Sequence, residues 1–273
     1  MEAMERQFSI GWVLISYLMI AGGFMFAAVA VIASEERSEW LSQAVFFAGA
    51  FVGGLFAGRA SPGKTVAEPG LAGVLLILTV FGVCFLVPGG ADLSVGGAGD
   101  PATALKMAFV TGLGGFVGGL VGERTSKGGR SASAWRWWGV ACLLTVGMTY
   151  LLLGLFALLV VLSGGSLSGG NAPLMAIAAF ALGAFGSGFL AQAIAPRPMR
   201  AVCGAGAVGM MVFVLVVNAA LGSLTASLLV GAAIIGVIAS LIGAAGAGLS
   251  WRLIGARRAE RPLSPDLPEA RLK

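Results

Sequence analysis

The residues that come nearest to a known chemistry are Gly63, Lys64 and Thr65, whose order is that of the end of a phosphate-binding loop. In such a loop, backbone amides between a buried strand and a helix cradle the phosphates, and the lysine reaches them. The residues before Gly63 show the pattern of an apolar helix rather than a strand. We therefore discount nucleotide binding, and we predict no cofactor.

Other chemistries lack their usual residues. The chain has no histidine, which is the commonest general base and metal ligand. Its three cysteines, Cys84, Cys142 and Cys203, stand in separate apolar segments and resemble buried hydrophobic residues rather than a metal site or a disulfide framework. The carboxylates are predicted on opposite sides of a membrane. We expect no catalytic residue, no metal site and no enzyme, although an intramembrane enzyme stays open.

Composition places the chain in a membrane. Apolar residues make up 58% of its 273 residues and charged residues only 11%, with a mean hydropathy of +0.96. A soluble domain carries about 25% charged residues. The net charge of +5 is spread over short loops, which is a topology signal, so we predict no nucleic-acid partner.

Eight apolar segments predict an all-α integral membrane protein, an eight-helix bundle. They cover approximately 8–33, 43–58, 70–88, 102–122, 137–162, 173–195, 200–221 and 226–254. About 20 residues are needed to cross the hydrocarbon core, and the second segment is short of that at about 16. We predict one transmembrane domain, 1–254, in two four-helix halves of about 1–125 and 135–254. The segment 255–273 is predicted to be a disordered cytoplasmic tail.

The basic residues predict the orientation. Only Arg37 and Lys106, of 17 lysines and arginines, fall on the side of the odd-numbered connections. Positive charge is retained in the cytoplasm, so both termini and the even-numbered connections are predicted to be cytoplasmic. One group of these residues is a set of candidate contacts for anionic lipid: Arg124, Lys127, Arg130, Arg136, Arg257 and Arg258.

A pattern of small residues recurs four times, once in each even-numbered segment. It takes the form Gly49, Gly53, Ala57; then Gly114, Gly118, Gly122; then Gly183, Ser187, Ala191; and finally Ala239, Gly243, Ala247. Residues four apart share one face of a helix, and small ones let a neighbouring backbone approach closely in a bilayer. The chain therefore reads as four pseudo-repeated helical hairpins, and we expect the even helices to gather at the centre while the odd helices face lipid.

Two interpretations of these stripes stay open. Close helix packing would make the protein a membrane scaffold or a subunit that binds itself or another membrane protein. A narrow path beside Gly53, Gly118, Ser187 and Gly243 would make it a passive facilitator or transporter of a small neutral or lipid-like substrate. Lys106, near the start of the fourth segment, is expected to form an ion pair with Asp100, with a gate or an anion-attracting residue as the alternative. Gln192 and Asn218, near other span ends, are expected to make interhelical hydrogen bonds.

The sequence Gly-Gly-Leu-Phe-Ala-Gly-Arg at 53–59, with Pro-Gly-Leu-Ala-Gly at 69–73, resembles small uncharacterised multi-pass bacterial membrane proteins with a Gly-Gly-x-x-Ala-Gly helix end. The resemblance covers the first four predicted helices. It implies a bacterial inner membrane and carries no activity.

Overall fold

A computed structural model describes residues 9–33, 39–61, 66–86, 101–126, 133–163, 172–195 and 198–255. Every regular element in these ranges is a helix, and none is a strand. The α-helices are α1 (Ile10–Ala33), α2 (Glu39–Ala60), α3 (Ala67–Leu86), α4 (Pro101–Thr125), α5 (Ala134–Leu162), α6 (Ala172–Ile194), α7 (Arg200–Ala205), α8 (Val208–Ala220) and α9 (Ala226–Ser250). A π-helix, Trp251–Gly255, continues α9.

Seven stretches of these helices are long and apolar enough to cross a membrane. One of them, Arg200–Ala220, spans α7 and α8 together. The remaining predicted segment, the third, corresponds to α3, whose apolar part, Ala67–Gly82, is shorter than the other seven. The prediction of an all-α protein with several membrane-length helices is confirmed.

Two predicted segments differ from the structure. The second predicted segment is a helix of 22 residues. Its first turns contain the polar residues Glu39, Ser42 and Gln43, which the apolar pattern did not include. The seventh is broken by a turn at Gly206 and Ala207. A side chain at Gly206 would overlap Ala141 of α5, so this turn brings the backbone of one helix onto the other.

The helices pack in two groups with the same pattern of neighbours. In the first group α2 contacts α1 and α4, and α3 contacts α4 and α1. In the second group α6 contacts α5 and α9, while α7 and α8 contact α9 and α5. The largest contact between the groups joins α1 to α5.

The expectation that the even helices form the centre is therefore wrong. The odd helices α1 and α5 lie there, with Met19, Ile20 and Leu144 fully buried. Eight consecutive residues of α5, from Val140 to Gly147, are buried. Apolar bulk fills the space between several helices, whereas small residues serve contacts between two backbones, so bulk does not identify the lipid-facing helices.

Candidate functional site

The first small-residue stripe, on α2, faces α1. A Cβ atom built on Gly49 would lie 2.5 Å from the Cα atom of Phe24, and one on Gly53 would lie 2.5 Å from the Cα atom of Ile20. Ala57 is 1% exposed. No side chain larger than hydrogen fits at either glycine without moving the α1 backbone.

The second stripe, on α4, faces α2. Cβ atoms built on Gly114, Gly118 and Gly122 would collide with the carbonyl oxygens of Phe47, Phe51 and Leu55, respectively. The α2 and α4 stripes therefore do not face one another.

A separate pair of α2 glycines completes the contact with α4. Gly54 and Gly58 lie against the carbonyl groups of Gly115 and Gly119. Each helix thus presents glycines to carbonyl oxygens of the other. This geometry is typical of parallel helices in close contact, where Cα–H groups approach carbonyl oxygens.

The third stripe, on α6, faces α5. Gly183 lies against the backbone and hydroxyl of Thr149. The hydroxyls of Ser187 and Thr145 are hydrogen-bonded at 2.6 Å, and both side chains are fully buried. Ala191 is also fully buried. This stripe combines close packing with an interhelical hydrogen bond.

The fourth stripe, on α9, lies beside α6 and α7. A Cβ on Gly243 would lie 3.1 Å from the carbonyl oxygen of Gly204, and Ala239 and Ala247 are fully buried. A different α9 glycine, Gly246, lies against the carbonyl of Phe185, as Gly118 lies against that of Phe51. By its contact, Gly246 rather than Gly243 is therefore the α9 counterpart of Gly118 on α4.

Sequence reasoning missed the contact that joins the two groups of helices. Gly22 of α1 lies against the carbonyl of Leu143, and Gly147 of α5 lies against the carbonyl of Leu18. These glycines stand in odd-numbered helices, where no four-residue stripe draws attention to them. Their signal in the sequence is a glycine inside an otherwise bulky apolar helix. Such a glycine lowers the stability of the helix unless it allows another backbone to approach closely.

A buried carboxylate was also missed. Glu68, in the first turn of α3, is 3% exposed, and one of its oxygens accepts a hydrogen bond from the backbone amide of Ser9 at 3.4 Å. Ionisable residues within membrane proteins are costly and often functional. The only signal of Glu68 in the sequence is a carboxylate beside Pro69 at the start of an apolar segment.

The polar residues near span ends are placed as local bonding partners. The interhelical bond expected of the Asn218 amide is not observed in the described part of the chain: this amide donates to the Val214 carbonyl at 2.8 Å, one turn earlier in α8 itself. The Gln192 side-chain oxygen accepts from the Met199 amide at 2.9 Å, which ties the end of α6 to the start of α7. Lys106 is exposed, and Asp100 lies outside the described residues. Three hydroxyls, those of Ser16, Thr149 and Ser250, are buried with no hydrogen-bond partner among the described residues.

Among the candidate lipid-contact residues, Arg124 is exposed and Arg136 is half-buried. Arg59, near the end of α2, donates from Nε to the hydroxyl of Thr125 at 3.0 Å. Four further candidates lie outside the described residues: Lys127, Arg130, Arg257 and Arg258.

The glycine-lysine-threonine motif has a helix before it. Gly58 precedes Gly63 at the spacing of a phosphate-binding loop. Gly58 lies in α2, packed on Gly119, and residues 62–65 are outside the described ranges. The strand that this motif requires is replaced by helix.

Metal-binding side chains do not converge in the described ranges, where no group of three or more Cys, Asp or Glu residues could hold an ion. Cys142 and Cys203 are buried free thiols. The side chain of Cys84 lies outside the described residues. No protein family, no curated protein and no solved structure matches this chain.

Proposed function

We propose that the chain is an integral membrane protein that acts as a non-enzymatic scaffold or as a subunit of a membrane complex. The observation that carries this proposal is the filling of the small-residue stripes. At Gly53 and Gly118 the neighbouring backbone occupies the space that a solute path would need, and a Cβ on Gly243 would lie 3.1 Å from the carbonyl oxygen of Gly204. At Ser187, in the third stripe, the side chain of Thr145 takes up the space and is hydrogen-bonded to the serine. These contacts favour packing over an axial path.

The membrane location is supported by seven membrane-length apolar helices. Much of α9 presents large apolar side chains outward, with Val230, Val237 and Leu241 each more than 60% exposed. Such a surface is stable against lipid or against another apolar protein. In our proposal the protein lies in a bacterial inner membrane with both termini in the cytoplasm.

We further propose that the two groups of helices are repeats related by an axis along the membrane normal. Phe51 and Gly54 on α2 meet Gly118 and Gly115 on α4; Phe185 and Gly188 on α6 meet Gly246 and Gly243 on α9. In each of the four helices the two contacting residues are three positions apart, so the α2–α4 contact and the α6–α9 contact have the same register. The four predicted hairpins would then form two pairs, and this axis would relate one pair to the other.

Purification in mild detergent tests the scaffold proposal. We expect the protein to run as an oligomer or to co-purify with a specific membrane protein at a fixed ratio, measured by light scattering and mass spectrometry. Reconstituted vesicles should release trapped small neutral solutes no faster than protein-free vesicles. A monodisperse, partner-free monomer that speeds this release would refute the scaffold and support the facilitator.

Orientation has its own test. The chain would carry one introduced cysteine at Ser126 in a background where Cys84, Cys142 and Cys203 are alanine. We expect a membrane-impermeant thiol reagent to label it only after the membrane is opened. Labelling in intact cells would reverse the proposed topology without affecting the packing argument.

A further inference from the structure

A furrow lined by apolar groups runs between α5 and the α7–α8 pair. Its outer part is a cavity of about 500 Å³ between Ala134 and Trp135 of α5 and Ala201, Val202 and Ala205 of α7. Its inner part is a cavity of about 250 Å³. The inner part is lined by Gly139 and Cys142 of α5, Gly209 and Val212 of α8, and Phe26 and Phe56 from the first group of helices.

The two cavities share Trp138 and follow one another along α5. From Ala134 to Cys142 the furrow is about 12 Å long at the rise of an α-helix. Its outer end is open, because Ala134, Trp135 and Ala201 are exposed. Its inner end meets the rings of Phe26 and Phe56. The furrow is therefore an open groove that ends against these rings, and we call this groove the slot.

The corresponding seam between α1 and α3 has a larger residue at one position that lines the cavity. Gly70 of α3 lies near the Gly112 carbonyl and the Phe116 side chain on α4. Gly204 of α7 lies in the same way near the Ser240 carbonyl and the Ala244 side chain on α9. Leu71 thus corresponds to Ala205.

The same alignment pairs Glu68 with Val202. Glu68 is buried and hydrogen-bonded to Ser9 of α1, which closes that end of the first seam. The second seam has no such bond in the described residues, and the cavity beside Ala201 and Ala205 is open. Protein interiors are otherwise close-packed, so a slot of this volume is suited to a molecule from the surroundings.

The chemistry of the slot selects that molecule. Hydrocarbon side chains, tryptophan rings and one thiol line it, which favours a hydrocarbon chain over a polar solute. Arg136 lies in the first turn of α5 and the exposed Arg200 begins α7, so both arginines stand at the level of the opening, although neither lines the cavity. Arginine binds phosphate oxygens bidentately, and tryptophan is enriched at the level of lipid headgroups.

We propose that this furrow binds one anionic glycerophospholipid, with an acyl chain in the slot and its phosphate at the end carrying Arg136 and Arg200. The proposal rests on the membrane location proposed above. It does not depend on whether the protein is a scaffold. Arg200 is absent from the candidate lipid contacts that the sequence predicts, because only the structure brings α7 beside the start of α5.

The test uses the full chain in nanodiscs made of equal parts phosphatidylglycerol and phosphatidylcholine, released into the gas phase for native mass spectrometry. We expect the wild type to retain one phosphatidylglycerol per chain. Ala205→Leu, which copies Leu71 of the first seam, should lower the retained fraction at least fivefold. Arg200→Gln should lower the preference for phosphatidylglycerol at least threefold while leaving total lipid retention closer to that of the wild type.

Matched controls separate the furrow from general lipid contact. Ala178→Leu fills an apolar cavity between α5 and α6 that no described arginine adjoins, and Arg252→Gln removes an exposed arginine after α9. Neither should alter retention. Equal retention by Ala205→Leu and wild type, or an equal preference for both lipids in the wild type, would overturn the proposal. A chain that fails to enter nanodiscs would instead overturn the membrane location.

Discussion

The contact of α2 with α1 and the contact of α6 with α5 use one register but different chemistry. In the first, Gly53 lies against the backbone of Ile20. In the second, Ser187 stands in place of Gly53 and bonds to Thr145, which stands in place of Ile20. Gly49 and Gly183 make the matching tight approaches to Phe24 and Thr149.

This difference separates two roles that sequence patterns merge. Gly49 and Gly183 bring the backbones of the two helices together in both regions. The neighbouring position then accepts either close backbone packing or a hydrogen bond, because both satisfy a buried contact between helices. The third stripe, Gly183, Ser187, Ala191, is therefore equivalent in position to the first, Gly49, Gly53, Ala57. It differs in that a hydrogen bond as well as packing stabilises its contact.

The largest effect is expected from Gly118→Leu. Its side chain would displace the Phe51 backbone, and overpacking of this kind costs about 3 kcal/mol or more when backbone must move. Gly246→Leu should be similarly harmful, at the carbonyl of Phe185. The free energy of unfolding in mixed detergent measures both. Gly231→Leu is the control, since nothing lies within 4 Å of its Cβ position; equal losses at all three sites would break the comparison.

Gly147→Ala tests the join between the two groups of helices. A methyl group there overlaps the Leu18 carbonyl, and we expect a loss of about 2 kcal/mol despite the better helix propensity of alanine. Gly154→Ala, in the same helix with open space around it, should be neutral or stabilising. A stable Gly147→Ala protein would mean that α1 and α5 can separate at little cost.

Thr145→Val removes the hydrogen bond that distinguishes the second region. We expect a loss of about 1 kcal/mol, the usual scale for such bonds in membrane proteins. A double-mutant cycle with Ser187→Ala measures the coupling free energy between the two residues. Coupling near zero would show that the α5–α6 contact depends on packing alone, as the α1–α2 contact does.

The smallest effect is expected from Thr125→Val. It removes the exposed hydrogen bond from Arg59, and we expect a loss of at most about 0.5 kcal/mol. Thermal unfolding of the purified protein measures this change, with Thr79→Val as an exposed control whose hydroxyl bonds only within its own helix in the described structure. A loss above that of the control by 2 kcal/mol would make this helix end a major contact.

The sequence by itself determined the helices and the small residues on them. Apolar runs with few charges, interrupted by short polar segments, leave the backbone little alternative to helix in lipid. Recurrent glycines identified surfaces that can approach closely. Those signals are local, and they act within one or two helical turns.

Tertiary structure decided which surface meets which. A stripe such as Gly49, Gly53, Ala57 fits any backbone of matching shape, so its spacing could not choose α1 over α4. The central place of α1 and α5, the turn at Gly206 and the furrow beside Trp138 depend on contacts between residues far apart in the chain. They arise where backbone approach, side-chain volume and buried hydrogen bonds of several helices are satisfied together.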